Sequence, residues 1–427
     1  MVAPVFAGLI FVVSLALIFI EKINRTIIAF AGAMLMITLG QVLHFYDMKS
    51  AIEAIDFETL GLLMGMMIIV AMLEPTGFFQ YLAVLAARAS KGKPMRLFIL
   101  LGSVTTLLSM FLDNVTTVVL IAPVTLLISE ILGVSAIPYL VAEAILSNTG
   151  GVATLVGDPP NVLIGSAAGF SFNDFLIHSL PVVAVVWAGA LFLLRYLFKK
   201  ELSKRPRSVR AVMRLNPAQS LNEPETAKKL LIVLGAAILF FFVHHLLQIE
   251  PAFVALGAAA VALLLVQPDM HETLRKVEWN VLVFFGALFV MVGGLEKAGV
   301  FESIVGLFRG ASNVNPVLFG VAMIWMVAIL SAVVDNIPIT IALIPIIQGL
   351  GETGVNIAPL WWALAFGAGF GGNGTIIGST ANIIVVTLSE KTRKPITAKL
   401  WMQRGLPVML LACTIASILY TILYNWF

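Results

Sequence analysis

Two acid–amide pairs stand inside apolar stretches of this chain. Asp113-Asn114 sits in LDNVTTVVLIAP (112–123) and Asp335-Asn336 in VDNIPITIALIP (334–345). The pairs are 222 residues apart, and Pro123 and Pro345 keep the same offset. A carboxylate at membrane depth costs roughly 3 kcal/mol on insertion scales unless it meets water, a cation or a proton. Two such acids at matching positions suit proton or cation exchange. The adjoining amides, with Thr116 nearby, offer neutral donors and acceptors to a hydroxylated solute or a hard cation. A simpler role is also open: each Asp precedes a helical pattern and could cap it.

A second pair of segments carries the same offset to within one residue. Thr154-Leu155-Val156-Gly157 and Asn161 match Thr375-Ile376-Ile377-Gly378 and Asn382. Between them, Gly157-Asp158-Pro159-Pro160-Asn161 must unwind a helix, because proline removes a backbone donor and blocks the preceding turn. Unwound backbone survives in lipid only where it is buried or lines a wet cavity. Its counterpart, running from Asn373 through Ser379 and Thr380, replaces the prolines with glycines and hydroxyls. Asn148 lies shortly before the first break. The candidate substrate or ion ligands are therefore Asp113, Asn114, Thr116, Asn148, Gly157, Asp158, Asn161, Asp335, Asn336, Asn373, Thr375, Ser379, Thr380 and Asn382. Asp113, Asp335 and Glu143 are the candidate proton carriers, although Glu143 could instead face the cytoplasmic end of its helix. Kinks needed only for packing are the alternative at both breaks.

The elements that position these residues are apolar runs long enough to cross a bilayer. Spans are expected near 3–20, 26–43, 58–73 and 175–198, then 230–247, 252–267, 281–295 and 404–426. Four elements are interrupted: 97–132 at Asp113-Asn114, 138–170 at the proline pair, and their repeats 316–350 and 358–389. The linker 199–229 holds Lys199, Lys200, Lys204, Arg205, Arg207, Arg210, Arg214, Lys228 and Lys229, which assigns it to the cytoplasm. Treating 97–132 and 316–350 as re-entrant hairpins puts Lys22/Arg25, Arg88/Lys91/Lys93/Arg96, Arg275/Lys276 and Lys391/Arg393/Lys394 on that same side. Both termini then fall outside. Each half makes five crossings, an odd number, so the halves are inverted. The expected domains are 1–198 (first repeat), 199–229 (basic linker) and 230–427 (second repeat). Segments 78–90 and 300–309 read either as interfacial arm helices or as plain loop helices.

Composition agrees with this layout. The chain is 60% hydrophobic and 11% charged, against about 25% charged in soluble domains, and its mean hydropathy is +1.03. The net charge is +3, from 26 basic and 23 acidic residues, and the basic residues cluster in loops between spans, which implies no nucleic-acid partner. One cysteine, Cys413, leaves no internal disulfide or multi-cysteine metal site. No cofactor is expected. Gly367, Gly369 and Gly372 match a dinucleotide spacing without its strand–helix setting, and no nucleotide-binding phosphate loop is present. No nucleophile–base pair points to an enzyme.

TLVGDPPNVLIGSAAG (154–169), LDNVTTVVLIAP and VDNIPITIALIP resemble the ion transporter superfamily. Within it they resemble the branch that holds arsenite/antimonite efflux permeases, NhaD-type sodium–proton antiporters and the pigmentation P protein. The resemblance covers essentially the whole chain. It implies an all-α polytopic membrane protein of two inverted repeats, with about ten crossing elements, two re-entrant hairpins, a scaffold domain and an elevator-like transport domain. It gives a site role to Asp113, Asn114, Asn161, Asp335, Asn336 and Asn382. The leading expectation is a multi-pass inner-membrane exporter of arsenite or antimonite driven by proton entry. Sodium–proton antiport is the alternative. An organic-anion symporter or a channel ranks lower, because no Lys or Arg lies in the broken elements near the tips. The resemblance also allows a soluble ATPase at 199–229 and a homodimer.

Overall fold

Backbone polar groups in lipid must be satisfied internally, and helices do this within one segment. The computed structural model describes residues 2–20, 22–301, 315–392 and 394–427, and among them it forms helices and no strand. The first half runs α1 (Val2–Ile20), α2 (Arg25–Val42), α3 (Met48–Glu53), α4 (Phe57–Leu73), α5 (Phe78–Ala89), α6 (Pro94–Ser109), α7 (Asn114–Leu132), α8 (Ile137–Gly151), α9 (Pro159–Ala168), α10 (Phe172–Asp174) and α11 (Leu180–Leu197). A π turn, Phe175–Ser179, joins the last two. The linker holds α12 (Lys199–Leu202) and α13 (Val209–Arg214). The second half runs α14 (Pro224–Leu247), α15 (Pro251–Val266), α16 (Met270–Lys276), α17 (Trp279–Lys297), α18 (Pro316–Val333), α19 (Asn336–Glu352), α20 (Ala358–Gly371), α21 (Thr380–Ser389) and α22 (Ala398–Ile422). Among the described residues, eight helices are long and apolar enough to cross a membrane.

The two repeats pack reciprocally. The α4 helix lies on α15, while α2 lies on α17. The α7 helix meets α21, while α19 meets α9; α6 covers α8 as α18 covers α20. The last helices of the two halves, α11 and α22, pack on each other. The result is one group built on α1, α2, α4, α14, α15 and α17, and a second built from the hairpins and broken helices. Where the groups meet, α4 touches α9 and α17 touches α19.

Three local expectations change. The α14 helix begins at Pro224, so Lys228 and Lys229 belong to its first turns and not to the linker; proline supplies a favourable first helical residue. The rest of the linker is tied to the first repeat. Arg207 N–H donates to Leu132 O (2.8 Å), and Asn222 donates from its backbone to Thr76 O (2.9 Å) and from its side chain to Pro75 O (3.1 Å). The α5 helix packs through buried Phe79, Ala83 and Ala87 against α6 and α7, so it is docked on the first hairpin. Its counterpart at 300–309 falls largely outside the described residues, as does Arg393.

Candidate functional site

Four helices begin at one place. Asn114, Asn336, Pro159 and Thr380 open α7, α19, α9 and α21, and all four line a cavity of about 220 Å³. Helix N-termini present unpaired N–H groups and a positive partial charge. Asp113 caps one of them, its Oδ1 accepting from Thr116 N–H at 2.9 Å. The α9, α19 and α21 starts have no side-chain cap. Asp158, Pro159 and Pro160 form a helix start, and the unwound stretch precedes them at residues 152–157. Its counterpart spans residues 372–379.

Glycine is required where these breaks fold back. A Cβ on Gly157 would lie 2.6 Å from Gly151 O and 2.8 Å from Ser109 O. One on Gly378 would lie 2.8 Å from Gly372 O and 3.0 Å from Ser331 O. The same backbone turns are stapled by amides. Asn161 Nδ2 donates to Gly151 O (3.0 Å) and Thr154 O (2.8 Å). Asn382 Nδ2 donates to Gly372 O (2.8 Å) and Thr375 O (2.9 Å). Thr154 and Thr375 hydroxyls donate to Met110 O and Ala332 O at the hairpin tips.

A buried amide cluster joins the two halves behind the cavity. Asn148 Oδ1 accepts from Asn114 Nδ2 (3.0 Å) and Ser379 Oγ (2.9 Å). Its Nδ2 donates to Asn373 Oδ1 (3.0 Å) and Asn382 Oδ1 (3.1 Å). Asn148 is thus fully engaged, and it ties α8 to the second break. At the cavity wall, Asn336 Nδ2 donates to Asp158 Oδ2 at 3.1 Å. Asp158 is buried, and the charges of Asp113 and Asp335 both reach it.

Of the expected ligands, Asp113, Asn114, Thr116, Asp158, Asp335, Asn336, Ser379 and Thr380 line the cavity. Asn148, Gly157, Asn161, Asn373, Thr375 and Asn382 stand behind it and shape the breaks. Glu143 lies off the cavity, fully buried between α8 and α7. Its Oε1 accepts from Thr125 at 2.5 Å, and its Oε2 has no partner among the described residues. The helix-end position considered for it does not hold.

Two residues that sequence reasoning passed over complete the site. Arg25, assigned only to an inner loop, opens α2 and pairs through Nη1 with Asp335 Oδ2. Its guanidinium also lies over the Phe284 ring, 5.3 Å from the centroid. No Lys or Arg lies in the broken elements near the tips, as expected, but a cation reaches the second tip from α2. Glu278, just before α17, lines the cavity and interacts electrostatically with Asp113 and Arg25. It is offset by 222 from Asp56, which caps α4 by accepting from Thr59 N–H at 3.0 Å, so the repeat alone could have flagged it. Glu74 also lines the cavity and bridges to Lys276 at 3.2 Å.

A family model described as "citrate transporter" matches residues 15–367. The 46 kDa membrane protein of Mycobacterium leprae is 38% identical over 420 residues, covering 97% of each chain. An uncharacterized transporter of Mycobacterium tuberculosis is also 38% identical, covering 98% of this chain and 97% of its own. The P protein of Homo sapiens is 31% identical over 94% of this chain, which spans 57% of that protein. The crystal structure of the YdaH transporter of Alcanivorax borkumensis, described as having an unusual topology, superposes with a TM-score of 0.66 at 15% identity. The superposition covers 95% of this chain and 99% of that one, and so shares the fold. Paired hairpins, paired breaks and full-length similarity to membrane transporters lead to one assignment: the chain is a membrane transporter of the citrate transporter family, within the ion transporter superfamily.

Proposed function

We propose that the protein is a secondary active transporter that exchanges protons against a small solute by elevator-like alternating access. The observation that carries this reading is the charge of the cavity. Asp113, Asp158, Asp335, Glu278 and Glu74 line it, against Arg25 and Lys276. Carboxylates in excess at membrane depth call for protons or metal cations to travel with, or against, the solute. Asp113 and Asp335 are the proton carriers in this reading, and Asp158 is a third acid within their field. The amides and hydroxyls of Asn114, Asn336, Ser379 and Thr380 offer neutral ligands to the trihydroxide form of arsenite or antimonite. The group built on α1, α2, α4, α14, α15 and α17 serves as scaffold, and the hairpins with the broken helices move against it. In this reading the protein is a multi-pass inner-membrane protein whose basic 199–229 linker, supported by its positive charge, faces the cytoplasm and is the surface that a soluble ATPase would use.

Sodium–proton antiport uses the same acids with Na⁺ as the solute. A carboxylate solute is favoured by a separate observation: three uncapped helix starts and Arg25 face the cavity, and both features attract anions. The family description, citrate transporter, points the same way.

The deciding measurement is proton flux in proteoliposomes with a trapped pH dye, adding arsenite, antimonite, Na⁺ or citrate in turn. A saturable response to the metalloids supports the leading reading, whereas a response to Na⁺ or citrate alone replaces it with the corresponding alternative. Coupling should fall in both Asp113→Asn and Asp335→Asn. Unchanged exchange in both would remove these acids as proton carriers.

A further inference from the structure

The Arg25–Asp335 pair stands between two cavities. One is the site cavity of about 220 Å³; the other, about 430 Å³, extends past Ile18, Ile23 and Asn24. Arg25, Glu278, Val281, Asp335 and Thr380 line both. Arg25 belongs to α2, on the α17 side of the molecule, whereas Asp335 belongs to the tip of the second hairpin. The ion pair therefore ties one packed group to the other across the partition. The first hairpin has no such tie: α15, the counterpart of α2, opens at Pro251, and Asp113 has no cationic partner among the described residues.

We propose that Arg25 occupies, at Asp335, the place of the transported or coupling cation, and that its departure joins the two cavities. This inference rests on the cation-coupled reading above. A proton or Na⁺ arriving at Asp335 neutralises the carboxylate and removes the reason for Arg25 to stay. The guanidinium then has a second acid within its field, Glu278, on the same partition. Asp113 and Asp158 add negative charge around the cavity and favour the incoming cation. While Arg25 holds Asp335, the tip is neutral in total charge and the partition is closed. A fixed charge that competes with the mobile one makes passage conditional on binding, which is what separates exchange from leak.

The test is an imposed pH gradient across proteoliposomes, with no solute added and potassium–valinomycin clamping the voltage. Wild-type protein should hold the gradient, and Arg25→Gln should dissipate it several-fold faster. Arg25→Lys should fall between them, because a lysine keeps the charge and loses the planar fork. The double exchange Arg25→Asp with Asp335→Arg should restore tightness but not exchange, because the tip then holds no carboxylate for an incoming cation; a merely structural ion pair would recover both. The inference is overturned by an Arg25→Gln protein as tight as wild type. It is also overturned by one that is monodisperse on gel filtration yet inert in both leak and exchange, which would make Arg25 a solute ligand. Repeating the leak with Na⁺ in place of the pH gradient tells which cation Arg25 stands in for. Wild-type protein that exchanges nothing with any solute overturns the functional reading alone, since the leak arm needs no solute.

Discussion

The two hairpin tips carry the same acid–amide pair and use it differently. Asp113 caps α7 through Thr116 N–H, and Asn114 turns to Asn148. Asp335 leaves α19 uncapped and pairs with Arg25, while Asn336 turns to Asp158. The local sequence and backbone are nearly equivalent, so the difference comes from what each tip faces. One tip meets the buried amide of α8 in its own half. The other meets a cation carried by α2. Symmetric chemistry at the tips has acquired different partners: a helix-capping acid on one side and a charge-paired acid on the other.

The comparison can be broken most strongly at what the repeats share. Gly157→Ala and Gly378→Ala should each disrupt a break, because the added carbon would sit within 3 Å of backbone oxygens. A stability loss of about 3 kcal/mol is expected for each, read as a matched fall in melting temperature and transport. A large effect at only one glycine would show that the breaks are not equivalent.

Asp335→Asn should come next, at about 2 kcal/mol, because it strands Arg25 in a half-buried position. Thermal unfolding of the detergent-solubilised protein would measure it, and Arg25→Gln in the same background should recover part of the loss. No recovery would mean that the ion pair is not the cause.

Asn148→Ala tests a device found in one repeat alone, since its counterpart at the 221 offset of the breaks is Gly369. It leaves Asn114, Asn373, Asn382 and Ser379 short of partners. About 1–2 kcal/mol should be lost, with solute affinity, measured as the half-saturating concentration, weakened together with it. Unaltered affinity would confine the cluster to a packing role.

Asp113→Asn should have the smallest effect on stability, a few tenths of a kcal/mol, because asparagine caps a helix about as well as aspartate. Its stability should match wild type while exchange is impaired. A drop as large as that of Asp335→Asn would erase the distinction between the tips.

Much of the architecture was legible in the chain. The 222-residue offset located both hairpins and both breaks, and hydropathy placed the spans within a few residues of α1, α2, α4, α15 and α17. The start of α14 was not legible from hydropathy, because Lys228 and Lys229 read as loop while proline and tertiary packing began the helix at Pro224. The amides flanking the breaks were found, but their division into cavity ligands and backbone staples was not. Asn161 and Asn382 look like ligands in sequence, and only the turn geometry shows their Nδ2 groups engaged by carbonyls.

The sequence by itself determined the repeat, the helices, the acids and the places where helix must end. Those are local properties, dictated by hydropathy, proline, glycine and helix-end chemistry. Only the tertiary structure decided the partners. Arg25 and Asp335 lie 310 residues apart, and nothing near either residue announces the other. Their meeting depends on α2 packing against α17 and on the second hairpin descending beside them. Electrostatic partners across such a separation are fixed by the packing of whole helices, and no periodicity within one segment encodes them.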